Sequence, residues 1–249
     1  MKLLHALREH LAMVTGLGLL ALLCLSWFPL AMVLYRVLPR RWGQPLGRRV
    51  ATFTFRFYLS ALERLCGCRF DLSALEQLPR EGPMIIVANH PSLLDAVLLI
   101  SRLPDAVCIM KAGLMDNPMF GAAARLARYI RNDNLLNVVL RCRRVLNEGG
   151  QVVLFPEGTR TTRWPVNPLL PSIGLLAQRT RATVQTVLIE FSSPYLGKQW
   201  PLWRRPSLPL VVRVRLGRRF EPPDDACGFN QALQQHFDDE LRAGPHTAA

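Results

Sequence analysis

MIIVANHPSLLD, Met84 to Asp95, is the stretch whose reading decides the fold of this chain. Met84–Ala88 is an uninterrupted apolar run that reads as a buried strand. Asn89 and His90 end it. Pro91 keeps His90 extended and favours the start of a helix. The imidazole therefore stands at the carboxyl end of a strand, where open α/β sheets gather functional groups. Asp95 lies five residues further on. Within a regular helix that spacing turns the two side chains ~140° apart, so they would not meet. With His90 outside the helix and Asp95 in its first turns, the imidazole can curl back onto the carboxylate. Such a bond fixes the ring tautomer and stabilises the cation formed when His90 takes a proton. Ser92 has a helix-start role in this reading.

Outward from this stretch, short apolar runs alternate with helical stretches. Met84–Ala88, Ala106–Met110, Gln151–Phe155, Thr183–Phe191 and Leu210–Leu216 read as strands, and 92–102, 118–128, 134–148 and 172–180 as helices. Asn147-Glu148-Gly149-Gly150 stops one helix before the next strand. The expected fold class is α/β: a mostly parallel mixed sheet flanked by helices, with an N-terminal membrane-embedded helical segment. A weak helix near 229–242 and a frayed end from Gly244-Pro245 complete the chain.

A second block, FPEGTR from Phe155 to Arg160, follows the apolar strand VVLF. Gly158 permits close backbone approach, and Thr159 and Arg160 offer donors. A guanidinium suits bidentate phosphate binding. Glu157 reads either as the partner of an arginine or as a ligand for a substrate hydroxyl. The chain contains no Gly-x-Ser-x-Gly nucleophile elbow. The chemistry expected of His90 and Asp95 is direct attack by an activated substrate hydroxyl, without a covalent enzyme intermediate.

The N-terminal quarter is of a different kind. Leu11–Tyr35 is 25 residues without a charge, longer than the ~20 that span a bilayer core as a helix. Its length, and the lack of a small-residue cleavage site, argue against a cleaved signal peptide. Pro29 inside it leaves two readings: one span, or two shorter embedded helices. From Arg36 to Arg69 there are eight arginines and one acid, Glu63. By the positive-inside rule the C-terminal side is cytoplasmic. Residues 45–66, with Phe53, Phe57 and Leu65 set among arginines, read as an amphipathic helix in the headgroup region. The expected organisation is membrane-anchoring helices over 1–66, an α/β domain over 67–225, and a C-terminal helix and tail over 226–249.

Composition limits the function classes. The chain has 249 residues, a net charge of +13, and 28 arginines against three lysines. That bias fits attraction to anionic headgroups, an acidic carrier protein or nucleic acid. It equally fits a genome that prefers arginine codons. The six cysteines lack Cys-x-x-Cys spacing and read as reduced structural thiols. His5, His10, His236 and His246 lie far from any metal-like spacing, so a membrane-anchored hydrolase lacks both nucleophile and metal cluster. The aromatics cluster near the membrane segment instead of interleaving with basic residues, which weighs against nucleic-acid binding.

The two blocks in this order resemble the glycerolipid acyltransferase family, which includes the 1-acyl-glycerol-3-phosphate acyltransferases. Lys111, Pro118, Phe120, Gly121 and Arg131 extend the likeness between them, and an apolar N-terminal extension is also usual there. The resemblance covers roughly residues 80–190. It implies that His90 is the general base and Asp95 its partner. It also implies that Arg131, Glu157, Gly158, Thr159 and Arg160, with Lys111, form the acceptor and phosphate site. The implied reaction moves an acyl group from acyl-CoA or acyl carrier protein to the hydroxyl of a lysophospholipid, without a metal or redox cofactor. The implied setting is the cytoplasmic face of the inner membrane, in phospholipid biosynthesis. Two departures stand out. Leu169-Leu170-Pro171-Ser172 replaces the family's Phe-Lys-x-Gly, and Thr186 stands where a later strand usually has proline. They leave open an acceptor other than 1-acyl-glycerol-3-phosphate, such as an amino-acid lipid or a pigment-type lipid. The alternative from another class is a membrane-anchored basic binding protein.

Overall fold

The computed structural model describes residues 2–201 and 203–244, without the side chains of Lys2 and residues 118–120. The expected frayed end from Pro245 onward lies outside the described residues. Two long helices, α1 (Lys2–Val37) and α2 (Arg40–Cys66), precede an alternating α/β body. Its strands are β1 (Cys68–Asp71), β2 (Ile85–Ala88), β3 (Ala106–Lys111), β4 (Ile130–Asn132), β5 (Gln151–Leu154), β6 (Val184–Phe191) and β7 (Leu210–Phe220). Between them lie α3 (Asp95–Ile100), α4 (Ala112–Asp116), α5 (Pro118–Leu126), α6 (Leu135–Asn147) and α7 (Ser172–Thr180), and α8 (Ala226–Ala243) closes the body.

The seven strands form one sheet in the order β1-β7-β6-β2-β5-β3-β4, parallel except for β6 against β7. Helices cover both faces, so the central strands are apolar on both sides and read as continuous runs. Ile86 and Ala88 of β2 face a core shared with α2 and α3. Ile85 and Val87 face the opposite core, shared with α6, α7 and α8. β2 lies at the centre, and its carboxyl end opens between β5 and β6.

The structure corrects several sequence expectations. Ser92–Leu94 is a turn, and α3 begins only at Asp95 instead of 92. β1 and β4 lie outside the expected strands: CRFD and IRN are too short and too charged to show a strand period. α8 starts at Ala226, capped by Asp225, whose carboxylate accepts from the Cys227 and Gly228 amides at 3.0 and 2.8 Å. α1 is a single helix that runs unbroken past Pro29. Leu3–Val37 is long and apolar enough to cross a membrane.

α1 and α2 fold back on one another through Leu38–Pro39. Gly16 meets Leu62, and the Cys66 thiol donates to the Ala12 carbonyl at 3.5 Å. The hairpin lies against the body along its length. Near its start, Arg205 donates to the Ala6 carbonyl at 3.2 Å. Near its end, Ala31 packs with Ala122 and Leu126, and the Arg128 guanidinium sits 4.7 Å over the Tyr35 ring. Three polar side chains of α2 hold the loop after α3. Arg48 donates to the Asp105 carbonyl at 3.2 Å, Thr52 to Ile100 at 3.1 Å and Arg56 to Ser101 at 2.6 Å. The last two satisfy carbonyls at the C-terminal end of α3. The outward faces are apolar: Leu7, Leu11, Leu22 and Leu25 on α1, and Phe53, Phe57 and Leu65 on α2 are exposed.

Candidate active site

Asn89 ends β2 by extending its ladder with a side chain. Its amide donates to the Ile189 carbonyl at 2.9 Å and accepts from the Ile189 amide at 2.8 Å. This pair of bonds ties the strand end to β6 just before His90. Nδ1 of His90 lies 2.8 Å from Oδ2 of Asp95, which also accepts the Ser92 amide at 2.8 Å. Ser92 in turn accepts the Leu94 amide through its hydroxyl at 3.2 Å. The turn required by Pro91 therefore aims the first carboxylate of α3 back at the ring. Asp95 is fully buried, whereas the His90 side chain retains 19% exposure. With Nδ1 engaged, Nε2 of His90 has no hydrogen-bond partner among the described residues.

Burial pushes the Asp95 carboxyl up to about 6, against the opposing pull of the His90 and Ser92 hydrogen bonds; Glu157 adds a smaller upward push. Oδ1 of Asp95 is buried without a partner among the described residues. The second block reaches the histidine in two ways. Phe155 stacks on the His90 ring, with centroids 4.0 Å apart and planes inclined by 17°. The Glu157 carboxylate, itself buried, accepts the His90 amide at 2.8 Å and the Thr161 hydroxyl at 2.7 Å, while its other oxygen accepts the Asn167 amide at 2.9 Å. The Thr161 amide returns a bond to the His90 carbonyl at 2.7 Å.

Of the residues singled out in the sequence, the structure thus joins His90, Asp95 and Glu157 in one cluster. Glu157 spends its oxygens on holding loops together. Gly158 has φ +66°, and a Cβ there would lie 2.6 Å from Leu170; the position suits glycine on both counts. Arg160 donates through Nη1 to the Leu196 and Gly197 carbonyls, both at 2.8 Å, which pins a third loop to the site. Thr159 is partly exposed beside it. Lys111 and Arg131 stand on the same carboxyl edge of the sheet but on β3 and β4, two and three strands from β2. At the usual strand spacing that is roughly 10 and 14 Å sideways. Arg131 is held by Asp116 through bonds of 2.5 and 3.0 Å, with Asp133 3.5 Å away. The pairing draws the Asp116 carboxyl down and the Arg131 guanidinium up.

Several contributors escaped the sequence reading: Phe155 as a stacking partner, Thr161, Asn167 and the Leu196–Gly197 loop. Asn167 organises its loop by accepting from the Thr162 amide and hydroxyl and the Arg163 amide. Only the aromatic inside the FPEGTR block gave a sequence signal. The others are polar loop residues with no period. Asn230 and Gln234 of α8 were also missed. Asn230 accepts the Gly174 amide and Gln234 the Leu169 amide, both at 2.9 Å. They hold the segment whose Leu170 donates to the Pro156 carbonyl at 2.9 Å and packs on Gly158. Thr186, the second departure, lies in β6 and bonds to the Arg218 carbonyl at 2.7 Å and to His236 at 2.9 Å. Its hydroxyl ties β6 to β7 and α8.

A buried carboxylate behind a strand-end histidine, on a sheet of this order, defines a class of protein that comparison with known sequences and structures makes specific. A family model described as Acyltransferase matches residues 69–190. Lysophosphatidylcholine acyltransferase 2 of Danio rerio is 31% identical over 223 residues, covering 81% of this chain and 39% of that protein. The 1-acyl-sn-glycerol-3-phosphate acyltransferase of Helicobacter pylori is 34% identical over 107 residues, covering 39% of this chain and 45% of that protein. The crystal structure of the 1-acyl-sn-glycerophosphate acyltransferase of Thermotoga maritima superposes with a TM-score of 0.72 at 17% identity, covering 97% of this chain and 99% of that one. The chain spans less than half the length of the curated relatives named here. It belongs to the glycerolipid acyltransferase family.

Proposed function

We propose that this protein transfers an acyl group from an acyl-CoA or acyl-carrier-protein thioester to the hydroxyl of a lysophospholipid, with 1-acyl-glycerol-3-phosphate as the first candidate acceptor. The observation that carries the reading is the His90–Asp95 pair: one imidazole nitrogen bonded to a fully buried carboxylate, the other without a partner among the described residues. Nε2 takes the proton of the acceptor hydroxyl as its oxygen attacks the thioester carbonyl. A C–O bond forms, the C–S bond breaks, and the imidazolium returns the proton to the departing thiolate. Asp95 holds the Nδ1–H tautomer and stabilises the transient cation. Phe155 fixes the ring plane.

In this reading Arg160, Thr159 and the backbone at Gly158 meet the anionic part of the acceptor. Nε and Nη2 of Arg160 are still open among the described residues after Nη1 binds its two carbonyls. Lys111 and Arg131 supply charge further along the edge. A phosphate reaching Arg131 has to displace Asp116, an exposed partner of the kind that is readily exchanged.

The hairpin is the membrane attachment, with the catalytic body on the cytoplasmic side. The contacts of α1 with the body extend from Ala6 to Tyr35, which supports a helix lying along the domain in one leaflet over one leading away from it across the bilayer. The arginines at the ends and flanks of α2 suit anionic headgroups.

His90→Ala tests the chemistry. General-base catalysis contributes on the order of 10²–10⁴-fold, so the variant should lose nearly all transfer of labelled acyl groups to lysophospholipid while remaining folded and membrane-bound. More than about a tenth of the wild-type rate would refute the role.

A further inference from the structure

We propose that the outer face of α6 is the docking surface for an acidic carrier protein that delivers the acyl thioester. The inference rests on the thioester-transfer reading above and narrows the donor. α6 starts on the same edge of the sheet as the site: β4, three strands from β2, ends there at Asn132, and Asn134 caps the helix by accepting the Leu136 amide at 2.9 Å. One side of α6, including Val138, Cys142 and Val145, is sunk in the core. The other carries Leu136 and Leu140, 66% and 53% exposed, followed by the exposed Arg143 and Arg144. These positions recur at i, i+4 and i+7/8, which makes a single stripe along the helix.

Arg141, Arg143 and Arg144 make no ion pair among the described residues. The acids at the two ends of the helix are already engaged: Asp133 lies 3.5 Å from Arg131, and Glu148 lies 3.1 Å from Arg40. The stripe therefore presents uncompensated positive charge around two apolar anchors.

The bilayer is a poor occupant. α6 belongs to the core on one face of the sheet, and the α1–α2 hairpin packs against the other. A membrane holding the exposed apolar faces of the hairpin meets α6 only near its C-terminal end, where Arg40 pairs with Glu148. Free CoA supplies anionic phosphates, but its apolar parts, an adenine face and the pantoate methyls, form no ridge that covers Leu136 and Leu140 together along the helix. A protein helix with an apolar ridge and flanking carboxylates matches both features. Docked along α6, such a carrier would lead its thioester arm past the N-terminal end of the helix to the edge that holds His90.

The test uses the full chain reconstituted in phospholipid vesicles, with the same acyl group presented on acyl carrier protein and on CoA. Arg143→Glu/Arg144→Glu should reduce kcat/KM for the carrier-protein donor at least about tenfold, the effect of losing roughly 1.4 kcal/mol, mainly through KM. The acyl-CoA reaction should change less than about twofold, which also shows that the site is intact. Leu136→Ser, which leaves the charge alone, should show the same split between donors. Equal losses with both donors, no loss with the carrier protein, or weaker binding to vesicles would each overturn the docking face. Transfer from acyl-CoA alone would overturn it while upholding the transferase. Transfer from neither donor by the wild-type protein would overturn both readings.

Discussion

At the scale of the residue, Asp95 carries the greatest tension between stability and chemistry. The protein buries it completely, and burial raises its carboxyl to about 6. An unfolded aspartate titrates at about 3.9. Between those two values the folded state holds the proton and the unfolded state does not. This group therefore favours folding at low pH, and its contribution is lost as pH rises through about 6. Catalysis needs the ionised form, so the rate should fall as pH drops below about 6. Asp95→Asn separates the two effects. It keeps an oxygen for the Ser92 amide and the His90 ring but removes the buried charge. Its thermal midpoint at neutral pH should equal or exceed that of the wild type, while transfer falls by on the order of 10²-fold or more. A variant that unfolds readily and yet transfers normally would contradict both halves. The pH–rate profile is the independent measurement: an acid limb well away from 6 would detach it from Asp95.

The element with the least expected role is α8. It lies beyond the residues that match the family model, yet Phe229, Leu233, Phe237 and Leu241 belong to one of the two main cores. Its polar face holds the 169–174 segment through Gln234 and Asn230. That segment wedges Leu170 against Gly158, inside the proposed acceptor loop. Asn230→Ala/Gln234→Ala frees two backbone amides, a loss of about 1 kcal/mol each in a typical case. The protein should remain folded. The acceptor KM should rise several-fold with a smaller change in kcat, because the loop binds and does not perform the proton transfer. Steady-state kinetics with the acceptor varied would reveal this; a fall in kcat alone would show that α8 acts on the histidine cluster instead. α3 teaches the converse lesson. It is only six residues long, too short to stand alone, and Thr52 and Arg56 of α2 bond to carbonyls at its C-terminal end.

Across the whole molecule, the hairpin and the sheet form one packed body. Because α1 touches that body from Ala6 to Tyr35, reporters fused to either end of the chain should lie on the same side of the membrane. Protease or thiol-labelling access in spheroplasts would measure this, and an N-terminal reporter on the opposite side would require α1 to leave the body and span. Carbonate washing should leave the protein in the membrane pellet. Phe53→Asp/Phe57→Asp should weaken vesicle binding, since each phenyl ring contributes about 1.5–3 kcal/mol when buried. Unaltered vesicle binding would move the contact surface away from α2.

The sequence by itself determined the elements that depend on local pattern: the central strands, the longer helices, the apolar N-terminal segment, and the freedom Pro91 gives His90 to turn back onto Asp95. These follow from periodicity and from the restricted backbone beside a proline, both of which act within a few residues. Other features stayed open because they depend on contacts between distant segments. β1 and β4 exist because β7 and β3 offer them edges. Glu157 reads as the partner of an arginine or as a ligand for a substrate hydroxyl until the His90 amide, 67 positions away, is seen to occupy it. Arg131 is assigned to the phosphate site by resemblance alone, and its partner Asp116 shows only in the fold. Only the tertiary structure decided those partners, because a polar side chain carries no sequence period that reveals which backbone group or counter-charge it will meet once the chain has folded.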